Sequence, residues 1–351
     1  RDVRRREELL IVPGFLHVSP ADLATVAPEG VLCLVGILLI LLDAFAKGLR
    51  PSFPYVTLAG LAVANFLGGY APGSAFAGAI EGSELTRFVD LLALAAVALA
   101  TLGADALLAK DRRNQGEFYA FLLWSAAGLM VMAKGNDLLV VLLGLETMSI
   151  ALYVLATWYR DVPEAAEAGM KYFLMGALAS TFLLYGIAAV YGRLGSTRLT
   201  TIKGALASGG AYSDPMLQVG LLAILSALAF KIALVPFHAW APDVYQGMTS
   251  PAVAFLSTAP KAGAVVVAVK VLLALAPAGL GEPWRPLLGL LAVLSILFGN
   301  VVALAQRDLK RMLAYSGIAQ MGYVAIGLAT FDGYAIEGIL VFLAGYLATN
   351  I

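Results

Sequence analysis

The chain has 351 residues, 61% of them hydrophobic and only 13% charged, with a mean hydropathy of +0.87 and no net charge. That composition excludes an ordinary soluble domain, and the zero net charge lends no support to nucleic-acid binding or a polybasic surface role. The single cysteine, Cys33, excludes an internal disulfide or an iron–sulfur cluster held by this chain alone. No glycine-rich phosphate loop and no redox cofactor site is visible, and no residue set reads as a catalytic or metal-ligating cluster.

The chain opens at Arg1 with the charged segment RDVRRREELL, followed by the mixed stretch LIVPGFLHVSP. No short apolar run ending in a small-residue cleavage site follows, so residues 1–28 read as an extramembrane arm rather than a signal peptide. His17 in this arm carries no functional argument. Runs of about 20 apolar residues then predict eleven membrane spans. They lie near 29–47, 55–70, 87–109, 118–133, 137–158, 165–191, 216–240, 250–276, 285–305, 309–329 and 333–351. The second is short. The last is still apolar at Ile351, where nothing marks a helix stop, so a continuation is expected.

These runs are too long for soluble core helices and lack strand alternation, which predicts an all-α polytopic bundle. One set of loops carries Lys47, Arg50, Lys110, Arg112, Arg113, Arg160, Arg307, Lys310 and Arg311, nine basic residues; the other carries Lys134, Arg193, Arg198, Lys203 and Arg285, five. The richer side is expected to be cytoplasmic. Arg1, Arg4, Arg5 and Arg6 in the arm raise the opposite count to nine and weigh against that choice.

Three charges sit deep inside apolar spans: Glu146, Lys231 and Lys261. Each costs about 2.5–3.5 kcal/mol to place at the bilayer midplane, and the three together oppose insertion by roughly 8–10 kcal/mol. Such groups face protein or water and mark ion or proton routes; the plain alternative is a static pair that fixes helix packing. Prolines accompany two of them. In FKIALVPFHAW, Pro236 frees the carbonyl of Ile232, and in STAPKAGA, Pro260 frees that of Leu256, so both spans are expected to be broken. Broken helices with midplane charges are the usual construction of transporter sites. Very short turns join spans four and five and spans nine and ten, consistent with a five-helix repeat whose copies run in opposite directions.

The stretches GLETMSIALYVLATWYRD, EAGMKYFLMGALASTFLLYG, FKIALVPFHAWAPDVYQGMTSPAVAFLSTAPKAGA and QRDLKRMLAYSGIAQMGY closely resemble the antiporter-like membrane subunits of respiratory complex I, the NADH-quinone oxidoreductase. HAWAPDVYQG is most similar to the N subunits. The likeness is strong from about residue 85 to 351. It implies a fourteen-helix fold of two inverted five-helix repeats, each with a half-channel, of which about eleven helices are present. On that division 1–28 is the arm, 29–110 a three-helix segment, 111–280 the first repeat and 281–351 the start of a truncated second repeat. The implied function is proton translocation in the bacterial cytoplasmic membrane, coupled to quinone reduction elsewhere in the complex. NADH, flavin, iron–sulfur clusters and quinone would belong to other subunits, with antiporter-like membrane subunits as neighbours and no cofactor in this chain. A subunit of a cation/proton antiporter is the alternative.

On the same resemblance Glu146 and Lys231 form a switchable pair, with Lys231 the proton carrier and Lys261 passing the proton onward. A carboxylate beside a buried ammonium offsets its desolvation, and moving it away favours release. Glu167 stands four residues before Lys171, so both share a helical face. They are either a second stage of the proton path or an interfacial ion pair. His238 is expected at the cytoplasmic mouth of the broken helix, as a relay or as a packed histidine. Lys270 is expected to snorkel to an interface. Ser316, Gln320 and Tyr323 are expected to line water in the second repeat.

Overall fold

A computed structural model describes residues 18–69, 73–108, 115–207, 214–275 and 281–351. The arm residues 1–17, with His17 and four arginines, and the loop bearing Lys110, Arg112 and Arg113 lie outside the described residues.

In lipid every backbone polar group needs a partner within the protein, and helices supply that locally. A short α1 (Pro20–Thr25) leads into α2 (Ala27–Phe45) and α3 (Phe53–Gly68). An antiparallel hairpin, β1 (Gly73–Ala75) and β2 (Ile80–Gly82), precedes α4 (Glu84–Leu108). Then come α5 (Gln115–Lys134), α6 (Leu138–Ala156), α7 (Pro163–Leu194) and the short α8 (Leu199–Ala207). The remainder is α9 (Pro215–Lys231), α10 (Trp240–Gly247), α11 (Ser250–Leu275), α12 (Gly281–Leu304), α13 (Leu309–Thr330) and α14 (Gly333–Asn350). The eleven expected spans are α2 to α7, the pair α9–α10, and α11 to α14. Eight of these helices are individually long and apolar enough to cross a bilayer. The short second span is α3, whose 16 residues rise only about 24 Å.

Helix starts follow local chemistry. Ser19 and Asp22 form a reciprocal capping box at α1. Asp137, Asp214 and Asp308 cap α6, α9 and α13, each accepting a backbone N–H of the first turn.

The loops gather into two faces. On one, the α5–α6 turn is stitched to its neighbours: the amides of Asn136 and Asp137 donate to the Ala79 carbonyl at 2.9 and 3.2 Å. Leu138 donates to Thr197 and Leu199 to Asn136. On the other, Asp43 accepts from Arg50 at 2.6 Å and from the amide of Gly116 at 2.9 Å. The partition matches the two sets of loops expected from the basic residues.

The middle of the bundle is α11. It packs on α4, α5, α9, α13 and α14, and 89% of its apolar window is buried, against 22% for α12. Where α5 crosses α6, Gly128 and Gly144 oppose each other so closely that a Cβ at either would run into the partner's backbone.

The span that begins with α9 is broken as expected. Residues 232–239 separate α9 from α10, and two of the backbone groups at the break find side-chain partners. The Phe230 carbonyl accepts from the Trp240 indole N–H at 2.9 Å, and the Val235 amide donates to Ser295 Oγ of α12 at 2.9 Å. The break expected at Pro260 does not form: α11 runs continuously through that proline. Burial on all sides holds the helix together there, and Ser257 and Thr258 hydroxyls donate to carbonyls just ahead of it.

Candidate functional site

Lys231 is the last residue of α9, so its position follows from where the helix stops. It is buried, and its ammonium donates to Ser149 Oγ of α6 at 2.7 Å. Ser149 in turn donates to the carbonyl of Leu145. The rings of Tyr153, Tyr172 and Phe230 surround Nζ at 5.8, 5.9 and 5.8 Å. Tyr172 itself stacks on Trp240 of α10 at 4.8 Å. The lysine thus sits in an aromatic cage with one hydroxyl as its polar anchor.

Glu146 does not contact Lys231 directly, contrary to the expected pair. It lies one turn before Ser149, half-buried, and its carboxylate accepts the hydroxyl of Ser180 on α7. It is near enough to act on Lys231 through space. The reason is lateral: Ser149 on the same face of α6 reaches the ammonium first.

Lys261, near the middle of α11, is completely buried, and its Nζ has no hydrogen-bond partner among the described residues. The rings of Tyr245 (α10) and Tyr346 (α14) stand 5.7 and 6.0 Å away. Gly317 of α13 makes room: a Cβ there would lie 3.0 Å from Nζ and 2.9 Å from the Tyr346 hydroxyl. Tyr245 is close enough to both Tyr172 and Tyr346 for electrostatic interaction. Tyr172 beside Lys231 and Tyr245 beside Lys261 are both fully buried, and the Tyr153 and Tyr245 hydroxyls have no hydrogen-bond partner among the described residues.

Glu167 and Lys171 do pair, at 2.6 Å, with 63% and 42% of their side chains exposed. The sequence reading missed their third member. Asp243 of α10 accepts Lys171 at 2.6 Å with one oxygen and Arg311 of α13 at 2.5 Å with the other. Lys310 meanwhile donates to the Met248 carbonyl at 2.7 Å. The cluster read as topology charge alone thus straps the end of α10 to α7 and α13.

His238 lies in the break, not at a mouth. The eight residues of α10, about 12 Å, separate it from the loop face. Its ring meets Phe298 edge-on at 4.7 Å, and Nδ1 has no hydrogen-bond partner among the described residues. Ser316 and Gln320 are half-buried, while Tyr323 is 43% exposed on the bundle's outside.

Two lysines differ from their expected roles. Lys270 does not snorkel; it donates to the carbonyls of Ala133 and Gly135 at 3.1 and 2.6 Å, satisfying the C-terminus of α5. Lys134 is not a loop charge. It is 5% exposed and pairs with Glu29 of α2 at 2.6 Å and Asp90 of α4 at 3.2 Å, themselves 4% and 2% exposed. Asp90 stands only four residues into its expected span, close behind Glu84 and Arg87, so a search for charges deep inside apolar runs passes over it.

The family described as NADH:quinone oxidoreductase/Mrp antiporter, TM, matches residues 135–351. NADH-quinone oxidoreductase subunit N of Trichlorobacter lovleyi is 39% identical over 334 residues, covering 94% of this chain and 68% of that protein. The subunit N of Desulfovibrio desulfuricans is 40% identical over 342 residues, covering 94% and 67%. Among solved structures, a chain of respiratory complex I from Thermus thermophilus with bound aureothin superposes with a TM-score of 0.74 at 36% identity, covering 91% of this chain and 67% of that one. A chain of the Mrp complex from Dietzia sp. DQ12-45-1b, at 20% identity, shares the fold, with a TM-score of 0.79 over 92% of this chain and 36% of that one. The chain belongs to the NADH:quinone oxidoreductase/Mrp antiporter membrane family and, within it, to the subunit N proteins of NADH-quinone oxidoreductase.

Proposed function

We propose that this chain moves protons across the bacterial cytoplasmic membrane as a non-redox subunit of an NADH-quinone oxidoreductase. In this reading residues 111–280 form a first five-helix repeat, and 281–351 begin a second. NADH, flavin, iron–sulfur clusters and quinone act on partner subunits, and the loop face richer in Lys and Arg is cytoplasmic. Withdrawing Lys134 from the poorer face, because it is buried, widens that difference. A cation/proton antiporter is not favoured, since the relatives named as subunit N are far more similar than the Mrp chain.

The observation that carries the reading is the pair of buried lysines beside a helix break with side-chain partners. Neither ammonium has a carboxylate within ion-pair distance among the described residues, and a buried charge without a counter-ion is costly. Structural ion pairs are built the other way, with their partners in contact. Lysines held like this are suited to loading and unloading a proton. Glu146 supplies the control: carried from Ser180 towards Lys231 it stabilises the ammonium, and returned to Ser180 it lets the proton leave. Lys261 receives it, with the tyrosine hydroxyls between them as relays.

Lys231→Met in the assembled complex, reconstituted in sealed vesicles, should keep NADH oxidation but lower the number of protons moved per NADH. An assembled variant with the wild-type ratio would overturn the reading.

A further inference from the structure

The buried group at the hairpin end of the bundle has no part in the path above. Glu29, Asp90 and Lys134 come from three different helices, and the ammonium also approaches the Thr25 carbonyl at 3.4 Å. Two carboxylates against one ammonium leave an excess negative charge in a dry setting. One oxygen of each carboxylate, Glu29 Oε2 and Asp90 Oδ1, is buried without a hydrogen-bond partner among the described residues. Buried carboxylate oxygens rarely go unpaired, and two carboxylates sharing a site cannot both ionise cheaply. A cavity of ≈ 250 Å³ opens onto this group, with Asp90 and Lys134 in its wall together with Ser83, Glu84, Thr86 and Arg87.

The remaining charges nearby do not cancel the excess. Arg87 faces Asp90 and keeps its charge, its Nη2 donating to the Asn65 carbonyl and side chain at 3.0 and 2.6 Å while Nη1 is buried without a hydrogen-bond partner among the described residues; the exposed Glu84 on the same wall carries the opposite charge and offsets it. Lys270 of α11 is committed to the carbonyls on either side of Lys134 and faces Glu81. Cys33 is a further titratable group near Glu29.

We propose that Glu29 and Asp90 hold one exchangeable hydrogen ion between them above Lys134, loaded and released through the cavity on the hairpin face. The direction of exchange, with the non-cytoplasmic side, rests on the proton-translocating reading and its orientation; the binding of the proton does not. Lys261 and Lys270 are nine residues apart on α11, two and a half turns, so they point to opposite sides of that helix. The group is therefore a second proton site beside the lysine path rather than its next step.

The test uses the intact complex in sealed vesicles and a hydrophobic carbodiimide, which attaches only to protonated carboxyl groups. Mass spectrometry of the wild-type subunit should find the adduct on Glu29 or Asp90. Its yield should fall as the pH is raised on the hairpin side and stay constant when the other side is changed. Glu29→Gln should abolish labelling of Asp90, because the single remaining carboxylate then matches Lys134. Absence of any adduct at both residues under acid conditions, or labelling of Asp90 that survives Glu29→Gln, overturns the proposal. Control of the yield by the opposite side overturns its direction. Lys231→Met pumping normally while the adduct persists would sink the proton-path reading and leave this site standing.

Discussion

A single hydroxyl decides how Lys231 is held. Ser149 accepts the ammonium and passes its own hydrogen to Leu145, so both ends of the contact are directional. Stranding a buried donor costs about 1–3 kcal/mol. Ser149→Ala should therefore slow proton transfer by about fivefold or more, whereas Ser149→Thr, which keeps the hydroxyl, should stay near the wild-type rate. Proton uptake by reconstituted complex checks both, and equal rates for the two variants would mean that the serine merely fills space.

Among the elements, α10 is held in two ways. It is only eight residues long and follows a break, but Trp240, Ala241, Val244 and Tyr245 pack its inner side, and charge ties its outer side. Asp243 ties it to Lys171 and Arg311, but all three are partly exposed, at 28%, 42% and 27% of the side chain. Solvent screening keeps such a network weak. Asp243→Asn should lower thermal stability only slightly, and the difference should shrink in high salt. A loss of stability unaffected by salt would point to packing instead. At the opposite face, Asp22 fastens the hairpin to α1 through the Phe76 amide at 2.5 Å. That hydrogen bond, and then those from Ser19, hold its carboxyl below the ordinary aspartate value of 3.8. Because the folded value is depressed, the contact is fully present above 3.8 and is lost as pH falls through the lower folded value. The protection of the Phe76 amide against hydrogen exchange, taken relative to the intrinsic rate at each pH, should fall in that acid range, and Asp22→Asn should remove that fall.

For the molecule as a whole, the burial of α11 means that the bundle is built around the helix that carries Lys261. Ala264 on it is fully buried, while Leu297 on α12 is 59% exposed. Ala264→Leu adds volume where none is free and should cost about 1–3 kcal/mol, seen as weakened assembly or an earlier thermal transition. Leu297→Ala should leave both unchanged when measured in the same membranes.

The apolar runs by themselves determined the eleven spans, because a bilayer leaves the backbone no choice but helix and every span needs about the same length. The break beside Lys231 and the pairing of Glu167 with Lys171 were legible for equally local reasons: a proline cannot donate, and residues four apart share a face. Groups far apart in the chain were not. Glu29, Asp90 and Lys134 come from three spans, Asp243 meets Arg311 across 68 residues, and Ser149 reaches Lys231 across 82. Pro260 was misread because a proline's effect depends on what surrounds it, and α11 is enclosed on every side. Only the packing of helix on helix brings such charges together, since periodicity gives each helix a polar face without saying which other face it will meet.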